Sequence, residues 1–310
     1  MKIKNFLFHR VNPVRDPMWD PMHPNLFDKV LSFIKKNYHV VLLEDFILSG
    51  EYKNPTNKKI ATILFDDGYK DNLEYAAPIL KKHQLKASFY VVTNCIDNNL
   101  LTWTHIIDHC FYHTKKSKIH LNFDFFPPEF QTQELKTHDD RVSYARKFRG
   151  LIRKISHHQR ALMMNEIIKA FDDVELPKLM MNWNDVRQLK NEGHYIGSHT
   201  VNHPMLGTMD NLELIEYELS FSAQVIQKEL GYFPASISYP VGSYNQTTTE
   251  LSKKVGYSIG LAVHQTIYDT EKNGLFEIPR IEIYNESWWK TYLRITNYLE
   301  EFKKLIGYKK

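Results

Sequence analysis

Hydrophobic and polar positions in this chain follow two alternating periods. Short β-prone runs at Ile3 to Phe8, Val40 to Leu43, Ile60 to Phe65 and Ala87 to Val92 are separated by segments with apolar residues at helical spacing. Asn25, a good helix cap, precedes a face built from Leu26, Val30, Leu31, Phe33 and Ile34. A second helix is expected around Leu73 to His83. The same rhythm returns late in the chain. Asp185 to Glu192 reads as a helix closed by Gly193, His194 to Ser198 as a strand, and Asp210 to Leu230 as a long amphipathic helix with Gly231 beyond its end. Ala235 to Tyr239, Tyr257 to Val263 and Phe276 to Ile283 read as strands. Asn245 opens a helix to Val255, and a last helix covers Ser287 to Ile306. Such alternation predicts βαβ units and a parallel sheet, hence an α/β fold: a distorted (β/α) barrel of seven or eight strands with its site at the C-terminal strand ends.

Residues 95 to 180 break the rhythm. Thr104 to Tyr112 has helical spacing, Ile119 to Phe125 alternates like a strand, Pro127-Pro128 is a stop, and Arg141 to Phe171 is charged and helical. The stretch reads as a mostly helical insertion that caps the barrel mouth within one domain spanning residues 1–310. His105, His109 and His113 share a helical face there, but only Asp108 accompanies them and it points elsewhere, so they read as packing or solvated histidines. Residues 12 to 24, with Pro13, Pro17, Pro21 and Pro24, read as a rim loop. Trp183 is expected to staple its helix to the barrel, and Trp288 and Trp289 to be core.

Composition narrows the partners. A net charge of +4 with spread-out lysines permits an anionic substrate or carrier but does not argue for nucleic acid. The two cysteines, Cys95 and Cys110, are too few for a disulfide framework. No apolar run approaches the ~20 residues needed to span a bilayer. With the fold starting at Ile3 and no leader pattern, a soluble cytoplasmic enzyme is the expectation.

The chemistry gathers at two strand ends. Ile60 to Phe65 stops in Asp66-Asp67-Gly68, which delivers two carboxylates to the rim of a sheet, although Asp and Gly also make ordinary turns. Ile196-Gly197-Ser198 runs into His199-Thr200-Val201-Asn202-His203-Pro204. Two histidines four apart can hold one ion if the backbone makes a single turn between them, and Pro204 argues for a tight turn after a strand. The metalloprotease pattern is absent because no Glu follows His199. One strand-end Asp with such a pair makes a two-His, one-carboxylate set with open positions, the kind that activates water.

Together these residues resemble the polysaccharide deacetylase family, carbohydrate esterase family 4, also called the NodB homology domain. The resemblance runs through Asp66 to Val92 and Asn182 to Thr200. It implies Asp66 as catalytic base and Asp67, His199 and His203 as ligands of a divalent metal, zinc first, with Co, Ni, Mn or Fe open. The family's R-x-P-Y-G motif stands here as Ser238-Tyr239-Pro240-Val241-Gly242. Its arginine, which braces the catalytic Asp, is replaced by Ser238; Arg280 on a late strand is the candidate to restore that charge, or else a surface strand arginine. Its tyrosine, which lends a backbone N–H to the oxyanion hole, is replaced by Val241.

The D-x-x-D-W motif and the C-terminal His of the family are missing. In a closed barrel the first strand neighbours the last, so His9 is the candidate general acid, as in permuted family members, with His264 as its rival. Tyr69 and Tyr239 are assigned to the substrate and oxyanion side. The implied activity is metal-dependent removal of N-acetyl groups from an amino sugar in a polysaccharide or glycan precursor. Deformylation or amide hydrolysis of a non-polymeric compound, and a non-catalytic glycan-binding barrel, are the alternatives.

Overall fold

A computed structural model describes residues 1–53 and 57–298. The first half of the fold contains β1 (Lys2–Phe8), α1 (Pro24–Asn37), β2 (His39–Val40), α2 (Leu43–Leu48), β3 (Ile60–Phe65), α3 (Ala77–Lys82) and β4 (Ser88–Val91). Then come α4 (Thr93–Asn98), α5 (Trp103–His113), a hairpin of β5 (Lys118–His120) and β6 (Thr132–Glu134), α6 (His138–Ile152) and α7 (His157–Ala170). The remainder is α8 (Trp183–Asn191), β7 (Tyr195–Ser198), α9 (Leu212–Leu230), β8 (Ser236–Ser238), α10 (Gln246–Val255), β9 (Ile259–Leu261), β10 (Tyr268–Asp269), β11 (Ile281–Glu282) and α11 (Trp288–Thr296).

The main sheet runs β10-β1-β3-β4-β7-β8-β9, with β2 beside β3 and β11 beside β1. All its pairings are parallel except β1 with β10. Along β1, Ile3 pairs with Tyr268 while Phe6 and Leu7 pair with Ile281 and Glu282. Ile278 bridges to Leu261 at the far end of the sheet. The segment from Ile278 to Glu282 thereby joins both margins of the curl, and first and last strands are neighbours as the barrel reading requires.

Period-two alternation sorts the strand residues. Phe6, Phe8, Ile63, Phe65, Phe89 and Ile196 pack outward against α1, α3 and α8 in the largest apolar cluster. Leu64, Tyr90, Ile259 and Leu261 point to the opposite face and meet Leu43, Phe46 and Ile47 of α2. Asp66 continues the Leu64 side of β3 past its end. Between β4 and β7, helices α5, α6 and α7 bury an apolar cluster of their own around Phe111, Phe148, Ile152 and Met163.

Several expectations change in detail. The strand expected over Val40 to Leu43 ends at Val40, because Leu43 opens α2 with its side chain buried in the barrel. Phe276 to Ile283 is strand only at Ile281–Glu282, since Pro279 cannot donate to a ladder. Arg141 to Phe171 is two helices, broken where Ser156 caps α7. The cap of α9 is Asn211, not Asp210. Trp289 is 74% exposed, so it is not core. The helix expected to Ile306 is interrupted at Asn297, and its remainder lies outside the described residues.

Candidate metal and catalytic centre

The carboxylate pair sits where β3 stops. Asp67 and Gly68 both take the left-handed conformation, with φ of 76° and 90°. That reversal separates the two acids: Asp66 stays inside the sheet curl, and Asp67 swings to the ends of β4 and β7. Space at 68 is also tight, since an added Cβ would meet the Ile96 side chain at 3.0 Å.

The His199–His203 turn is set just as tightly. Thr200 and His203 also have positive φ, at 68° and 59°. The Thr200 hydroxyl accepts from the His203 N–H at 3.0 Å. Glu218, on the buried face of α9, accepts from the backbone N–H groups of Val201 and Asn202 at 2.9 Å each and from the Asn202 amide at 2.7 Å. Trp103 of α5 donates its indole N–H to the His203 carbonyl at 2.9 Å. Among the described residues, four of the seven non-glycine residues with positive φ are Asp67, Thr200, His203 and Val241. Backbone strain of this kind concentrates at functional sites, and here it surrounds one cleft.

Asp67 Oδ1 lies 3.4 Å from His199 Nε2 and 3.3 Å from His203 Nε2. Asp67, His199 and His203 each offer one ligand atom, the three lying within 4.8 Å of one another, and all three residues are buried. His199 donates Nδ1–H to the Ser238 carbonyl at 2.7 Å, which orients the ring so that Nε2 faces Asp67. Burial lowers the pKa of His203, favouring the neutral ring a metal needs. Burial pushes Asp67 up, but hydrogen bonds from His199 and His203 more than reverse it and hold its carboxyl well below the usual range. A buried carboxylate facing two imidazole nitrogens fits a divalent cation in both charge and donor type.

Asp66 is held apart from this group. Its Oδ1 accepts from Arg280 NH1 at 2.8 Å and its Oδ2 from the Ser238 hydroxyl at 3.1 Å. Arg280 is completely buried, tied to the Ala262 carbonyl by Nε at 3.0 Å. Burial raises the pKa of Asp66, and the Arg280 guanidinium together with the His199 and His9 rings outweighs it, so the carboxyl titrates below its ordinary value. Asp66 Oδ2 is 3.9 Å from His199 Nε2, so the free acid and the ligand group share one space.

His9, at the end of β1, lines the same cleft of about 470 Å³. Its Nδ1 is 3.6 Å from Glu282 of β11, and its ring meets Trp19 edge-on at 5.2 Å. His264 is exposed, bonds the Tyr244 hydroxyl at 3.0 Å, and does not line the cleft. Val241 does, with φ of 57°, an unusual conformation for a β-branched residue.

The two tyrosines lie elsewhere. Tyr69 is fully buried under Trp19 and Arg10, with its hydroxyl on His105 Nδ1 at 2.9 Å. Tyr239 is buried against Gly260 and stacks on Tyr244, while its N–H is taken by the Leu261 carbonyl at 3.0 Å. Both pack beneath the cleft rather than line it, which corrects their assignment to the substrate side.

Three residues of the site were not singled out from the sequence. Glu282 had a signal, since it lies two residues from Arg280 on the same side of a strand. Glu218 had another, as a Glu on the apolar face of α9 beside Ile215, Leu219 and Ser222. Arg149 had none, because its position on the cleft follows from how α6 packs.

Comparison with known proteins identifies relatives of the chain. YxkH of Bacillus subtilis (strain 168), which carries a polysaccharide deacetylase name, is 22% identical over 240 residues, covering 77% of this chain and 57% of that protein. The peptidoglycan-N-acetylglucosamine deacetylase PgdA of Listeria monocytogenes is 31% identical over 104 residues, 34% of this chain and 21% of its own. The chain thus spans just over half of one of these relatives and a fifth of the other. Among solved structures, the Streptococcus pyogenes deacetylase PplD in complex with acetate superposes with a TM-score of 0.64 at 20% identity, covering 95% of this chain and 98% of that one. The Bacillus cereus polysaccharide deacetylase BC0361 gives 0.61 at 16% identity, covering 95% and 69%. The polysaccharide deacetylase family profile matches residues 53–260, which carry Asp66, Asp67, His199 and His203, and the chain belongs to that family.

Proposed function

We propose that this protein is a metal-dependent hydrolase that removes N-acetyl groups from an amino sugar in a polysaccharide or glycan precursor. One observation carries the reading. A second carboxylate, Asp66, is buried beside the Asp67–His199–His203 group, kept ionised by Arg280, and not needed as a ligand. A module that only bound glycans would have no use for that acid.

An acetamide is a poor electrophile with a poor leaving group, so its hydrolysis needs an activated water and a proton for the departing nitrogen. A divalent cation held by Asp67, His199 and His203, with zinc the best match to those donors, supplies Lewis acidity and makes water more acidic. Asp66 accepts the proton of the attacking water at Oδ2, the oxygen nearer the ligand group. Arg280 and Ser238 hold that carboxylate in place and keep its proton affinity low enough to be ionised at neutral pH. His9 faces the cleft from the next strand and donates a proton to the leaving nitrogen, with Glu282 orienting its ring through Nδ1. Val241 lines the cleft and, in this reading, lends its backbone amide to the developing oxyanion. The chain is read as one catalytic domain in which residues 95–180 form an insertion over the cleft. Among the described residues no helix is long and apolar enough to cross a membrane.

The test is acetate release from N-acetylglucosamine oligosaccharides by the zinc-loaded protein, with Asp66→Asn as control. Acetate from wild type and none from the variant is the expected result. Formate or another acid released from a non-polymeric amide, with no acetate from any N-acetylated sugar, would move the protein to the deformylase or amidase class.

A further inference from the structure

The cleft wall opposite His9 is built by the segment between β4 and β7. It contributes Trp103, Thr104 and Asp108 of α5 and two guanidinium groups, Arg149 of α6 and Arg153 at its C-terminal cap. Residues four apart share a helix face, so both arginines serve one wall. Asp108 engages Arg149 through one amino group only, at 2.8 Å. The other Arg149 donors and the whole of Arg153 have no hydrogen-bond or ion-pair partner among the described residues.

Apart from Asp108, the carboxylates that line the cleft stand on other elements. Asp66 is paired with Arg280, and Asp67 faces the two imidazoles. Glu282 is shared between His9 and the Tyr284 hydroxyl. The two guanidinium groups that line the cleft, Arg149 and Arg153, both stand on α6 and its cap, with Asp108 the carboxylate beside them. A neutral sugar needs no such charge, whereas a planar guanidinium fork matches the oxygens of phosphate or carboxylate.

We propose that Arg149 and Arg153 form an anion subsite, and that the protein takes an N-acetylated sugar that carries a phosphate or carboxylate group close to the scissile amide. This deepens the deacetylase reading and rests on it for the identity of the reaction. The two sources of the anion share the same oxyanion chemistry, and substrate choice separates them.

The experiment compares N-acetylglucosamine oligosaccharides that are unsubstituted, phosphorylated on a neighbouring residue, or carboxylated there. Arg153→Gln is the main variant because this side chain is exposed and holds no other residue in place. Loss of one charge-assisted contact is expected to raise KM for one anionic substrate by roughly tenfold, with kcat and the neutral substrate unchanged. Arg153→Glu should enlarge the effect, and high salt should shrink it. The phosphate and carboxylate arms identify which anion is read. Identical kinetics on neutral and charged substrates in wild type and both variants would overturn the subsite. Calorimetric titration of the zinc-loaded protein with the same three oligosaccharides decides the matter apart from turnover. If no acetate is released from any of them, the reaction is wrong; if Arg153→Gln also leaves charged-ligand affinity unchanged, the subsite is wrong too.

Discussion

Two buried carboxylates mark the two ends of the same sheet. Asp66 sits at the C-terminal rim of β3, and Glu44 of α2 plugs the opposite end, where β4 and β8 begin. Glu44 is fully buried and accepts hydrogen bonds from Ser88, Tyr90 and Ser236, each at 2.6 Å. Its three partners are neutral hydroxyls, so burial dominates and its pKa is raised. Asp66 is equally buried, yet a guanidinium 2.8 Å away and the neighbouring His199 and His9 rings turn its shift downward. Burial alone does not decide whether an acid is charged; the charge of its partners does. An acid that burial keeps neutral, tied by three hydroxyls, holds the barrel floor together, and an acid stabilised as an anion is ready to take a proton. This matches the general division of such barrels into a floor for stability and a rim for chemistry.

The contrast can be broken most sharply at the ligand group. His203→Ala should abolish stoichiometric zinc in the purified protein, measured by elemental analysis, and should leave the Glu44 floor untouched. Full zinc occupancy would sink the ligand assignment. Next in size is Asp66→Asn, which keeps shape and metal but removes the proton acceptor. Turnover should fall at least ~10²-fold, the usual scale for a general base, while zinc content stays at one equivalent. His9→Ala should cost a comparable ~10²-fold and His264→Ala almost nothing. The reverse pattern would place the general acid on the wrong strand.

Smaller effects separate support from chemistry. Glu218→Gln removes the charge that gathers the Val201 and Asn202 amides, so zinc affinity by competitive chelation should drop roughly tenfold, as expected when a group that orients a ligand loop is weakened. Unchanged affinity would show that the turn holds its shape without Glu218. The smallest effect is at the floor. Because the folded pKa of Glu44 is raised, its native proton stabilises the fold fully below the unfolded carboxylate pKa, and that contribution is lost as pH rises through the folded value. Glu44→Gln stays neutral, so its Tm should gain on wild type as pH rises, with acetate release unaltered. A Tm difference that is flat with pH would mean that Glu44 is charged at its site.

The stretches that carry short-range chemistry were legible because sequence neighbours remain spatial neighbours there. Phe65-Asp66-Asp67-Gly68 and His199 to His203 each lie at one strand end, and parallel strands bring both ends to one rim. The β-rich runs and capped helices were readable for the same reason, since periodicity reports a local face. Edge segments were less so. Phe276 to Ile283 has a strand-like composition, yet Pro279 and the turn of Arg280 into the barrel limit its pairing. Tyr69 and Tyr239 looked like cleft residues because they adjoin the motifs, but the direction of a side chain at a strand end depends on the turn that follows it.

The sequence by itself pointed to the family, the parallel α/β frame, the Asp67, His199 and His203 group and the adjacent Asp66, because these depend on local pattern and on motifs a few residues long. Only the tertiary structure decided what surrounds them. It brought Arg280 across 214 positions to Asp66, set His9 beside Glu282, anchored the ligand turn on Glu218, and laid Arg149 and Arg153 along the cleft. Those pairings depend on which strands become neighbours and how one helix packs on another. Such long-range closure is fixed by the whole core at once and leaves no periodic trace in any one segment.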